Sequence, residues 1–217
     1  MREHLTDITL LLDRTGSMQV VRDETIYAVN LFLSDQKKVP GEATFTLVQF
    51  DSQDPFEVIQ RAVPIKEARP LTPETYVPRA WTPLLDAIGR TINDAGARLG
   101  ALPETDRPGK VVLAIITDGL ENASKEFSRA KILEMIKHQQ EAYSWQIVFL
   151  GANQDAIQEG MQMGVPHTAA MTYAATPDGV KAAYASLSQN MASYRLGASV
   201  SMDWSEEDRK KQKTARR

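Results

Sequence analysis

Three short segments carry the residues of this chain that could do chemistry. Asp13-Arg14-Thr15-Gly16-Ser17 sets a carboxylate and two hydroxyls at alternate positions of a turn. Thr82 stands between Trp81 and Pro83, and Asp118 between Thr117 and Gly119. Hard divalent cations take oxygen ligands, and Asp13, Thr15, Ser17, Thr82 and Asp118 together offer two carboxylates and three neutral hydroxyls. An ion held by only two anionic groups stays short of charge saturation, so an external anion remains attractive to it. Each segment also has an ordinary explanation. Asp, Ser, Thr and Gly build turns and helix caps, and Thr-Pro is a good helix start. The weight therefore lies on whether the chain folds the three segments together.

The elements around them make that convergence an expectation. Residues 5–13 read as a buried strand, and residues 19–37 have apolar side chains at helical spacing, among them Val21, Ala28, Phe32 and Leu33. Residues 43–50 and 56–62 read as two strands joined by the tight turn around Asp51 to Pro55, which implies an antiparallel pair. Prolines at 64, 70, 73 and 78 then impose a long loop. It ends at Thr82, expected to cap a helix that continues through Leu85, Ile88, Ile92, Ala95 and Leu99. Val111 to Ile116 is a near-continuous apolar run of the kind found in the middle of a parallel sheet. A helix over 126–143, a strand over 146–150, a short helix over 155–163, an edge strand near 168–172 and a last helix over 177–194 complete the pattern.

Alternating strands and helices predict an α/β fold: a doubly wound, mostly parallel six-stranded sheet with one short antiparallel strand and helices on both faces. Ligands of such sheets bind at the carboxyl ends of the strands, near the point where strand order reverses. Asp13 and Asp118 both end strands, and Thr82 starts a helix from the same rim. Residues 1–200 are expected to form one domain. Residues 201–217 are charge-dense, ending Lys-Lys-Gln-Lys-Thr-Ala-Arg-Arg, and read as a disordered, solvated tail.

Composition narrows the chemistry. The chain of 217 residues has no cysteine, which excludes disulfides, thiolate metal sites and a cysteine nucleophile. His4, His138 and His167 lack metal-ligand spacing, so zinc chemistry is not expected. A formal charge of -3 gives no reason to expect a nucleic acid partner. No signal-like start and no membrane-length apolar run is visible, which predicts a soluble, cytoplasmic protein with no membrane partner.

With these segments in place, the sequence resembles the von Willebrand factor type A (vWA) family. Its metal-ion-dependent adhesion site is written D-x-S/T-x-S in the first strand-helix loop, with a Thr in a later loop and an Asp after the fourth strand. Here the pattern reads Asp13-Arg14-Thr15-Gly16-Ser17, then Thr82, then Asp118, over a resemblance that spans roughly residues 5–195. The resemblance implies a bound Mg2+ or Mn2+, and in adhesive members a carboxylate from the partner completes the metal's coordination. It implies a non-enzymatic scaffold or assembly factor acting on a protein partner, with a small-molecule substrate not expected. Two departures stand out. Thr15 takes a position where Ser is commoner, and Ala80-Trp81 precedes Thr82 where family members often place glycines; the indole could narrow the opening or form part of the recognition surface. Arg14 adds a positive charge, although alternate residues of a turn usually point away.

Two other functions compete. A metal-dependent phosphoryl-transfer or hydrolase-like protein would use Asp13 as acceptor, but the three segments contain no His base, and the strand ending at Leu150-Gly151 supplies no Lys. A purely structural site would hold its loops together without meeting a ligand. A nucleotide site is excluded because no Gly-rich phosphate loop follows a strand. Asp51, Asp54, Glu121 and Asn122 could share the rim and bind partner, water or a second ion, and more often such residues are solvated turn groups. Trp81 and Tyr76 are either contact aromatics or part of the core.

Overall fold

A computed structural model describes residues 1–152 and 155–215. Six strands form one sheet in the order β3-β2-β1-β4-β5-β6. They span Arg2–Asp13 (β1), Glu42–Phe50 (β2), Glu57–Pro64 (β3), Pro108–Thr117 (β4), Gln146–Ala152 (β5) and Ala170–Tyr173 (β6). All neighbours pair in parallel except β2 with β3. The expected mostly parallel six-stranded sheet with one antiparallel strand is therefore the observed one. β1 and β4 lie at the centre and are buried on both faces from Leu5 to Asp13 and from Val111 to Thr117. Residues of this kind suit such a strand because neither face needs a polar side chain.

The helices are Arg22–Lys38 (α1), Leu84–Gly100 (α2), Arg129–Tyr143 (α3), Ala156–Gln162 (α4), Pro177–Arg195 (α5) and Glu206–Ala215 (α6). The crossover from β1 through α1 to β2 runs toward one edge, and that from β4 through α3 to β5 toward the other. Right-handed crossovers place α1 and α3 on opposite faces. α5 packs on α1, and α2 packs on α3. The sheet order reverses between β1 and β4, so their carboxyl ends open a crevice at the switch point.

Three sequence expectations are corrected. Thr82 does not cap α2: Pro83 stands at the cap with φ -85 and ψ 60, and the helix begins at Leu84. Helix α3 starts at Arg129 rather than 126, capped by the Ser128 hydroxyl, which accepts from the Lys131 N–H at 3.2 Å. The cause is local: the N–H groups of Lys125, Glu126 and Phe127 all donate to the Asp86 carboxylate at 2.8–2.9 Å, which holds them out of helix. The third correction is the tail. Residues 206–215 form α6, packed on α5 and β6, with Asp208 and Gln212 buried. Trp204 and Met202 anchor the approach to it. Arg216 and Arg217, the end of that tail, lie outside the described residues.

Candidate metal centre

Asp13 is the last residue of β1 and is fully buried, at 0% exposure. One carboxylate oxygen accepts from the Thr15 N–H at 2.7 Å, and the other accepts from the Thr117 hydroxyl at 2.5 Å. The hydroxyls of Thr15 and Ser17 lie 3.2 Å apart, and Ser17 Oγ donates to Asp118 Oδ1 at 2.5 Å. The turn after β1 thus joins the residue that follows β4. Thr82 completes the set from the α2 side. Its N–H donates to Asn122 Oδ1 at 2.9 Å and its carbonyl accepts from the Asn122 N–H at 3.1 Å. Its hydroxyl sits over Gly119, where an added Cβ would come within 2.7 Å of Oγ1. All five sequence-predicted residues therefore meet at one end of β1 and β4.

Electrostatics distinguish this centre from every other buried aspartate described. Asp7 receives a bidentate contact from Arg98 and the Thr44 hydroxyl. Asp51 receives Arg14, Arg79 and two N–H groups, while Asp86 receives three N–H groups. Asp208 is held by Ser205. Burial would raise Asp51, but Arg79, the Gln53 N–H and Arg14 outweigh it and hold the carboxyl below its ordinary value. Asp13 goes the other way. Burial pushes it up to about 6 despite the Thr117 and Thr15 hydrogen bonds, and the charge of Asp118 adds to the rise. Burial also raises Asp118, against the Ser17 hydrogen bond. Two buried or half-buried carboxylates thus share a small volume with three hydroxyls and no cationic side chain. That donor set fits a hard divalent ion and leaves an uncompensated charge without one.

The supporting residues were only partly foreseen. Arg14 does point away, into a network with Asp51, Gln49 and Glu57. Asp51 is thereby saturated, and Asp54 accepts from the Phe56 N–H at 3.0 Å, so both serve the β2–β3 turn. Glu121 accepts from the N–H groups of Leu85, Ala123 and Ser124 and from the Ser124 hydroxyl, which ties the loop after β4 to the start of α2. Tyr76 belongs to the core; it is fully buried and its hydroxyl donates to the Asp13 carbonyl at 2.7 Å. Trp81 is 69% exposed. Sequence reasoning missed Thr117 and Gly119, whose only signal was their adjacency to Asp118. Among the described residues, no cluster of three or more His, Cys, Asp or Glu forms a separate metal site. No described helix is long and apolar enough to cross a membrane.

The sequence matches no family model and no curated protein. Its fold does match solved structures. One is the pilus adhesin SpaC from Lactobacillus rhamnosus GG, with a TM-score of 0.61 and 12% identity over 88% of this chain and 30% of that one. Proximal thread matrix protein 1 from the mussel byssus, with a zinc-occupied MIDAS motif, gives a TM-score of 0.56 and 15% identity over 91% of this chain and 47% of that one. A von Willebrand factor type A protein from Catenulispora acidiphila gives 0.54 and 12% identity over 90% and 43%. The chain spans less than half the length of each. At these identities the likeness speaks for architecture, and together with the sheet order it establishes that this chain has the von Willebrand factor type A fold.

Proposed function

We propose that this chain is a cytoplasmic protein-interaction module, not an enzyme, that holds Mg2+ or Mn2+ through Asp13, Thr15, Ser17, Thr82 and Asp118. The observation that carries the reading is the pair Asp13 and Asp118: both acidic, drawn together at the switch point without a cationic partner, and both raised by burial in their affinity for protons. The mussel protein with zinc in its adhesion motif and the pilus adhesin, both of this fold, support a divalent cation and a protein partner. When bound, the ion supplies a positive centre to which an Asp or Glu carboxylate of the partner adds.

The chain's own residues prepare that encounter. Thr117 and the Thr15 N–H orient Asp13, while the Asn122 clasp and Gly119 direct the Thr82 hydroxyl inward. Ser17 is the exposed member and marks the open side. Phosphoryl transfer to Asp13 is disfavoured by its full burial and by the engagement of both its oxygens. Calorimetric titration of metal-stripped protein with Mg2+ and Mn2+ tests the reading. Saturable binding of about one ion per chain, abolished in Asp13→Ala and Asp118→Ala, is expected. Equal heats in wild type and both variants would overturn it.

A further inference from the structure

Beside the candidate metal centre lies a groove of about 910 Å3 walled by Trp81, Pro83 and Pro55. The backbone is arranged to present the indole there. Ala80 is held at φ 60, its carbonyl accepts from the Gly16 N–H at 3.2 Å, and the Trp81 N–H donates to Ser52 Oγ at 3.2 Å. A left-handed alanine costs on the order of 1 kcal/mol, so this turn is maintained against a conformational preference. It faces residue 81 to solvent while residue 82 is 3% exposed. Consecutive Cα atoms lie about 3.8 Å apart. The apolar wall therefore begins at the chain neighbour of the residue that carries the Thr82 hydroxyl.

The groove is lined by two acids and two bases, Asp86, Glu126, Arg90 and Lys125, which differ in how far each is already engaged. Arg90 and Glu126 pair with each other at 2.7 Å, and the Asp86 carboxylate is taken up by three N–H groups. Lys125 is exposed and forms no ion pair among the described residues, which leaves its ammonium as the lining cation able to meet an acidic ligand. An indole between two prolines is the kind of surface that docks extended, proline-containing segments, whose ordering cost is low.

We propose that the Trp81 groove is a second recognition subsite for an acidic segment of a protein partner. It takes a proline or other apolar side chain one or two residues from the carboxylate that reaches the centre. The proposal rests on the reading of Asp13 and Asp118 as a metal-dependent carboxylate receptor, and it assigns to Trp81 and Lys125 the choice among acidic segments.

The test is selection of displayed random dodecapeptides on wild-type protein in Mg2+ and in EDTA, repeated on Trp81→Ala and Asp118→Ala, with thermal melts confirming that each variant folds. Trp81 is largely exposed, so its truncation leaves the fold intact. Wild type is expected to select Mg2+-dependent peptides with Asp or Glu within two positions of Pro or another apolar residue. Trp81→Ala is expected to keep the acid and lose the apolar preference, binding the selected peptides about tenfold more weakly. Replacing the peptide's apolar residue by Gly should then cost little in that variant. Acid-dependent peptides that bind Trp81→Ala within twofold of wild type, or a preference for basic neighbours, would overturn the groove assignment alone. If nothing Mg2+-dependent is selected, the metal reading fails and this one with it.

Discussion

Asp13 sits where a carboxylate is least comfortable, and its discomfort can be measured. Its ordinary value is 3.8 and burial moves it to about 6, so the folded, metal-free protein binds the proton more firmly than the unfolded chain. The native state then carries more protons between about pH 4 and 6, and stability falls as pH rises through that window. About 2 pKa units correspond to roughly 3 kcal/mol, lost in full above pH 6. Asp13→Asn keeps the shape and removes the charge. Its urea-unfolding free energy in EDTA should match wild type near pH 4 and exceed it by up to about 3 kcal/mol at pH 7.5, while Mg2+ binding is lost. Parallel curves at the two pH values would mean that Asp13 has a partner in solution that the structure does not contain. Gly119 provides a second test at this scale. A Cβ there would meet Thr82 Oγ1 at 2.7 Å, so Gly119→Ala should displace the hydroxyl and weaken metal binding about tenfold by calorimetry. Metal affinity equal to wild type would remove Thr82 from the centre.

At the scale of elements, the parallel sheet and the carboxyl-end cluster were legible because they rest on signals local in sequence. Val111 to Ile116 reads as a doubly buried strand from composition alone; Asp118 directly follows that strand, and Asp13 ends its neighbour β1. What failed to read was held by contacts distant in sequence. Thr82-Pro83 looks like a helix start, but the two hydrogen bonds to Asn122, 40 residues on, fix Thr82 in the loop and delay α2 to Leu84. The tail shows no apolar stripe, yet α6 docks through polar side chains. Arg209 donates to the carbonyl of Ala170, and Gln212 accepts from the Ala174 N–H. Trp204 donates its indole N–H to the Ala169 carbonyl at 2.8 Å. These contacts cover the outer side of β6, which pairs in the sheet with β5. Edge strands left open invite pairing with another chain. Trp204→Ala should therefore cost about 3 kcal/mol or more and produce concentration-dependent association by light scattering, whereas Lys210→Ala, on the exposed side of α6, should do neither. A monodisperse Trp204→Ala variant would show that β6 is protected by other means.

For the molecule as a whole, the centre is placed where three independent chain segments meet: the turn after β1, the loop before α2 and the loop after β4. Their remaining contacts are hydrogen bonds from uncharged donors onto two carboxylates that repel each other, since Asp118 raises the proton affinity of Asp13. An ion that neutralises both acids binds the assembled site and has no comparable site in the unfolded chain, where these residues lie up to 105 positions apart by their numbers, 118 against 13. Binding to the native state alone adds stability of RT ln(1 + [L]/Kd), about 2.7 kcal/mol at a hundredfold excess over Kd. For a domain of this length each kcal/mol moves the midpoint by about 2–4 °C, so saturating Mg2+ should raise Tm by about 5–10 °C. EDTA should reverse the shift, and Asp118→Ala should abolish it. The shift should also shrink below pH 6, because protonating Asp13 competes with the ion for the same oxygens. A wild-type Tm indifferent to Mg2+ and Mn2+ at pH 7.5, in a protein that calorimetry shows to bind them, would mean that the ion binds folded and unfolded chain alike, and would overturn a site assembled by folding at the switch point.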